Sequence, residues 1–298
     1  MTGQHRPSRY RPVRRAWVLV IAAIGLMTSA CGASAAASTP AASTPAGPSA
    51  PAASSGGSAQ AGPATQSHTA SADAAAKPLA GKVVGIDPGH NGRNRDDPSY
   101  LNHLIWNGRE WETCDTTGTE TDSGYTEARY NFNVARYLRA DLIRAGARVV
   151  MTRTSNDGVG PCVNRRAAII DRAHANVAVD IHADGAPLSG RGFAVLEPVA
   201  DGPNDKVITS SERLGSKVRW AFLRYTTMPV SSYDGVNGIN HRDDLAGLNL
   251  TTVPKILIEC GNMRNATDAA LLTSARFQQQ VARALEAAII AFLRGSPR

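Results

Sequence analysis

Three apolar stretches of the 298-residue sequence each run into a residue that can bind a metal ion or carry a proton. KVVGI, residues 82–86, leads through Asp87-Pro88-Gly89 to His90. NVAVDI, residues 176–181, runs directly into His182, and KILI, residues 255–258, into Glu259. A fourth such residue, Glu127, opens the stretch EARYNFNVARYLRADLIRAG. Two histidines and one carboxylate are a common donor set for catalytic Zn2+, with a fourth position left for water. Zinc lowers the pKa of such a water towards about 7 and polarises a carbonyl oxygen. A second carboxylate, outside the donor set, then takes the proton and delivers it to the leaving group. His90, Glu127 and His182 as ligands, with Glu259 as acid/base, fit that division of labour. Each residue alone also has a structural explanation. A strand-end His is commonly hydrogen-bonded, and a Glu in the first helical turn is favoured by the helix dipole. Glu259 is harder to explain in that way, because a carboxylate ending an apolar strand must be paired, exposed or functional. Neither HExxH nor CxxC occurs, so the common local zinc signatures do not contribute.

The elements that must position these residues alternate. KVVGI reads as a buried strand and is followed by a long polar loop to about Ser123. The stretch from Thr126 to Gly146 has apolar residues at Phe132, Ala135, Leu138 and Leu142 and a Gly stop, which predicts a helix. ARVVMT, NVAVDI, GFAVLE and KILIE read as strands, and RRAAIIDRAHA, about 210–226 and about 268–293 as helices. Between 226 and 255 lies an irregular segment carrying Asn237, His241 and Asp243-Asp244. Strands apolar nearly throughout, alternating with helices, define an α/β fold: a single domain with a twisted, mostly parallel sheet and helices on both faces. Sites in such sheets lie at the carboxyl ends of the strands, where His90, His182 and Glu259 fall.

The domain occupies residues 79–298. Residues 1–31 combine five arginines, an apolar run from Ala16 to Met27 and small residues before Cys31, the pattern of a secretory signal. The apolar run is shorter than the ~20 residues of a membrane span. LMTSAC would allow Cys31 to be acylated, although Thr28 stands where such sites usually carry Leu; acylation with a membrane tether through the N-terminus and plain secretion both stay open. Residues 32–78 are almost entirely Ala, Ser, Pro, Gly and Thr and read as a disordered tether. Of the net charge of +7, the five N-terminal arginines carry five, leaving +2 for the rest. The chain therefore has no electrostatic footprint of a nucleic-acid binder. Cys114 and Cys162 both fall in loop-like stretches and form the natural disulfide pair of an exported protein. Cys260 follows Glu259 on a strand, so it points to the opposite face and reads as a buried free thiol.

IDPGHNG, GYTEARYNFNVARYLRADLIRAGARVVMTRTSND, RRAAII, NVAVDIHAD and LNLTTVPKILIECGNMRN, in this order, resemble the zinc-dependent N-acetylmuramoyl-L-alanine amidases of the Amidase_3 type. The resemblance extends from Lys82 to the closing helix. It implies a sheet of about six strands, Zn2+ as cofactor, His90, Glu127 and His182 as its ligands, and Glu259 as the acid/base. It further implies hydrolysis of the bond between N-acetylmuramic acid and L-alanine, with peptidoglycan or muropeptide fragments as partners. The expected setting is the periplasm or cell wall, with the enzyme monomeric and either secreted or lipid-anchored. Arg153 and an arginine at 165 or 166 match positions that are mainly structural. Three departures stand out: Asn91 for the usual Gly, Asp180 where Ser is common, and Cys260-Gly261-Asn262 for the usual Gly-Phe after the Glu. The segment 201–250 has the size at which some relatives carry a regulatory helix. Rival uses of the same residues are a zinc peptidase acting elsewhere on the stem peptide, a wall-binding module and a tethered adaptor.

Overall fold

The computed structural model describes residues 77–295. The expected signal and tether, with Cys31, lie outside the described residues. In chain order the elements are β1 (Val83–Pro88), α1 (Pro98–Asn102), β2 (Leu104–Trp106), β3 (Trp111–Thr113), α2 (Glu127–Arg144), β4 (Arg148–Met151), α3 (Val163–Arg172), β5 (Val177–Asp184), β6 (Ala194–Pro198), α4 (Ile208–Tyr225), β7 (Ile239–Arg242), α5 (Ala246–Asn249), β8 (Lys255–Asn262), α6 (Ala266–Leu272) and α7 (Ala275–Leu293). Six strands form one sheet in the order β4-β1-β5-β8-β6-β7, and β2 pairs with β3 in a separate hairpin. Every neighbouring pair in the large sheet is parallel except β6 with β8.

Period-two alternation divides the central strands between two faces. Val177, Val179 and Ile181 of β5 join Ile256 and Ile258 of β8 in the main core. Against that face pack α2, α4 and α7, through residues such as Tyr130, Leu138, Leu142, Leu214, Phe222, Phe277 and Leu285. The other face carries Gly85, Ala178 and Leu257, and is covered by α3 and α5 through Ile170 and Leu248. Asp180, His182, Lys255 and Glu259 belong to this second face by the same alternation. Cys260 faces the main core, fully buried and unpaired.

Several elements differ from the sequence expectation. The stretch read as a polar loop holds α1 and the β2–β3 hairpin, and the irregular segment holds β7 and α5. The expected closing helix is two helices, because the chain breaks at Thr273-Ser274, where Thr273 caps α6 and Ser274 opens α7. The helix of the 201–250 segment, α4, is a core helix with Leu214, Val218 and Phe222 fully buried on the main-core face.

Candidate metal centre and cavity

The three parallel strands β1, β5 and β8 end together and bring the candidate residues to one edge. His90 sits two residues beyond β1 in a left-handed conformation, φ 54°, which a non-Gly residue adopts only when its surroundings hold it there. Arg153 fixes the preceding turn: its guanidinium donates to the carbonyls of Pro88, Gly89 and Ala128. Asn91 secures the turn on its other side through Gly160 O and the amides of Gly92 and Gly158. The Asn91 side chain thereby ties down the loop. His182 and Glu259 are register partners across β5 and β8, both inside their strands, which run on to Asp184 and Asn262. Glu127 is the first residue of α2, whose N-cap Thr126 accepts from Arg129 N.

His90, Glu127 and His182 offer one donor atom each within 4.8 Å of one another. Glu127 Oε1 is 2.8 Å from His182 Nδ1, and its Oε2 is 3.3 Å from His90 Nε2. Glu127 also accepts from the amides of Thr119 and Ala183. Burial works to raise the Glu127 carboxyl, but the two histidines hold it well below its ordinary range. Burial works to lower His90, and Glu127 and Asp115 overcome this and push it up to about 9. Glycines make room for the cluster: a Cβ on Gly89 would stand 2.2 Å from the His182 ring, and one on Gly118 2.7 Å from Glu127 Oε2 and from His90.

Each histidine turns its second nitrogen to a carboxylate. His90 Nδ1 is 2.9 Å from Asp115 Oδ1. His182 Nε2 is 3.3 Å from Asp180 Oδ1, close enough for an ion pair but not aligned for a hydrogen bond. Such carboxylate–histidine contacts orient metal-binding imidazoles. Behind them the charges close into a ring. Asp115 Oδ2 meets Arg166 (3.2 Å), Arg166 meets Asp87 Oδ1 (3.1 Å), Asp87 Oδ2 meets Lys255 (2.7 Å), and Lys255 meets Asp180 Oδ2 (3.0 Å). Of the two candidate arginines it is Arg166, 2 % exposed, that takes the buried place. Four carboxylates (Asp87, Asp115, Asp180, Glu127) face two permanent cations (Arg166, Lys255), so with neutral imidazoles the ring is short of two positive charges. Two imidazolium protons make up that deficit in the metal-free site, and a divalent cation between His90, Glu127 and His182 would replace them, so the donor set and its charge are compatible with zinc.

Glu259 lines a cavity of about 340 Å³ together with His90 and His182. Its Oε2 is buried without a hydrogen-bond partner. Burial raises its carboxyl well above the ordinary value; His182 opposes this and Glu127 adds to it. The cavity is bounded by Glu112 and Thr113 of the hairpin, by α5 and by Arg242 of β7. A disulfide between Cys114 and Cys162 fastens the end of β3 to the N-terminus of α3. Sequence reasoning missed Asp87, Asp115, Lys255, Glu112 and Arg242. Lys255 carried a signal, being a cation at the head of an apolar strand, and Asp180 was visible as a departure from a common Ser.

Three donors that could hold a metal ion thus lie beside a buried acid with a raised pKa, at the carboxyl edge of an α/β sheet. Residues 84–291 match the Amidase_3 family, N-acetylmuramoyl-L-alanine amidase, and the chain belongs to that family. It is 37 % identical over 230 residues to an N-acetylmuramoyl-L-alanine amidase of Mycobacterium tuberculosis, covering 75 % of this chain and 91 % of that protein. Its structure is similar to the N-acetylmuramyl-L-alanine amidase of Mycobacterium smegmatis, with TM-score 0.69 and 36 % identity, covering 73 % of this chain and 99 % of that one. It is also similar to the apo form of the corresponding amidase of Mycobacterium abscessus, with TM-score 0.68 and 37 % identity, covering 72 % of this chain and 100 % of that one.

Proposed function

We propose that this chain is a zinc-dependent hydrolase that cleaves the amide between N-acetylmuramic acid and the L-alanine of the peptidoglycan stem peptide. His90, Glu127 and His182 hold the metal and Glu259 is the acid/base. The observation that carries the reading is the convergence of three donor atoms within 4.8 Å of one another beside a cavity that Glu259 shares with both histidines. Zinc bound there supplies a Lewis acid that acidifies a water and polarises the lactyl carbonyl. Glu259 takes the proton of the attacking water and returns it to the alanine nitrogen as the C–N bond breaks. An acid with a raised pKa suits the second half of that cycle. Asp115 and Asp180 orient the imidazoles, and Arg153 and Arg166 fix the turn that carries His90. The substrate is a wall polymer, so the enzyme acts outside the cytoplasm, in the periplasm or cell wall. The N-terminal segment supplies export and, through Cys31, a route to a membrane tether, and the working unit is a monomer.

The test is mass analysis of products from purified cell wall, with wild-type protein and Glu259→Gln. Stem peptides with a free N-terminal alanine are expected from the wild type, and Glu259→Gln should bind zinc normally and lose at least a hundredfold in turnover, of the order general acid–base catalysis contributes. Cleavage between two amino acids of the stem would replace this reading with a peptidase, and near-normal turnover by Glu259→Gln would remove Glu259 from its role.

A further inference from the structure

The cavity runs from His182 and Glu259 along the second face of the sheet to Arg242, which lies on the same face as Leu196 by register. Most of its charged lining is already committed. Asp87, Asp115, Asp180 and Arg166 are locked in the buried ring, and Glu112 accepts from Asn107 and the amide of Ala246. Among the described residues that line the cavity, Arg242 is the cation outside that ring.

Its guanidinium is held in place before any ligand arrives. Nε and Nη2 each donate to one oxygen of Asp244, both at 2.7 Å. The backbone is pinned as well: Arg242 pairs with Pro198 in β6, and its carbonyl accepts from Val199. A guanidinium has five N–H donors, and Asp244 occupies one edge. The Nη1 group and the outer Nη2 hydrogen are left for a second partner, in the planar fork that matches a carboxylate. Arg242 and Glu259 face the same cavity, so a carboxylate that a substrate brings there meets Arg242 as the cation placed to receive it.

Peptidoglycan carries such a group at a fixed distance from the scissile bond. The second stem residue is a glutamate joined through its side chain, so its α-carboxylate, or the amide made from it, stays free. An extended chain rises about 3.3–3.6 Å per residue, which puts this group roughly 7 Å beyond the alanine nitrogen on which Glu259 acts. The geometry points to Arg242, braced by Asp244, as a subsite for the free α-carboxylate of the second stem residue, making the enzyme selective for the acid over the amidated stem. This inference rests on the amidase reading for the identity of its ligand.

Binding and turnover are measured separately so that the two ideas can fail separately. Muramyl tripeptides whose second residue is γ-linked D-glutamate or D-isoglutamine, which differ only in a free α-carboxylate or its amide, are titrated into full-length, zinc-loaded Glu259→Gln protein, with and without Arg242→Gln. The acid is expected to bind about tenfold to a hundredfold more tightly than the amide, as a charged hydrogen-bonded fork implies. Arg242→Gln should bring the acid/amide ratio towards one, and Arg242→Lys, which keeps the charge without the fork, should fall between. Equal binding of acid and amide by the protein that retains Arg242, or a ratio that Arg242→Gln leaves unchanged, overturns the subsite. If Arg242→Gln does not fold, the ratio in the Arg242-bearing protein decides alone. A wrong amidase reading shows elsewhere, as wild-type protein that frees no peptide beginning with alanine.

Discussion

Lys255 is fully buried between Asp87 and Asp180, and removing it should show what the ring does. Lys255→Met leaves Asp87 with Arg166 and Thr152, but leaves Asp180 with only His182. Breaking a buried ion pair from one side costs about 3–5 kcal/mol. For a domain of this size that is a fall in Tm of roughly 6–20 °C for the metal-free protein. Asp180→Ser removes the negative charge, so the double variant Asp180→Ser/Lys255→Met keeps the ring's charge balance. It should regain part of the loss, with a coupling of about 0.5–3 kcal/mol. Zinc affinity should behave differently. Asp180 is the carboxylate behind His182, and losing such a contact typically costs about 10–100-fold in metal affinity. Asp180→Ser and the double variant should therefore both bind zinc more weakly, although the double variant has recovered stability. The assays are thermal unfolding by circular dichroism and competition with a chromophoric chelator. Additive effects on Tm would refute the ring as a coupled unit. Unchanged zinc affinity in Asp180→Ser would refute the orienting role of Asp180.

Gly89→Ala places a Cβ 2.2 Å from the His182 ring; the imidazole must swing away, so zinc affinity by chelator competition should fall at least tenfold with a smaller effect on Tm. Glu197 is buried beneath α4, where Gly215 leaves room for its carboxyl, and burial, with Glu212 adding, pushes it up to about 7. A raised acid favours the folded state at low pH, and this advantage is lost as pH climbs from the ordinary carboxyl range through 7. Glu197→Gln should accordingly match the wild type in Tm near pH 4 and exceed it at pH 8; a constant difference across that range would show that Glu197 is not the titrating group.

The four candidate site residues were legible because each stands at the end of a strongly patterned element. β1, β5 and β8 are apolar nearly throughout, and α2 has a periodic face, a cap at Thr126 and a stop at Gly146. Their convergence follows from parallel topology, which alternation with helices already implies. The hairpin was not legible: β2 and β3 are three residues each, and Trp106 and Trp111 are exposed, so no alternation marks them. β7, INHR, is an edge strand of four residues with none fully buried, held by pairing to β6 and not by its own pattern. Arg242 was hidden for that reason. The ring was beyond sequence reasoning because Asp87, Asp180 and Lys255 meet only through the register of three strands far apart in the chain. Cys114 and Cys162 were readable as a pair because each lies in a loop, and the structure joins them. α6 and α7 looked like one helix because their apolar periodicity continues across Thr273-Ser274, while the break depends on local capping.

Metal content tests the central claim most directly. The full-length protein is purified, its zinc measured, and cell-wall hydrolysis followed before chelation, after chelation and after zinc is returned. About one zinc per chain is expected, since one three-donor cluster fits it, with release of alanine-terminated stem peptides that chelation abolishes and zinc restores. A protein that binds no zinc even on reconstitution, or that cleaves the bond equally well without it, would contradict the account.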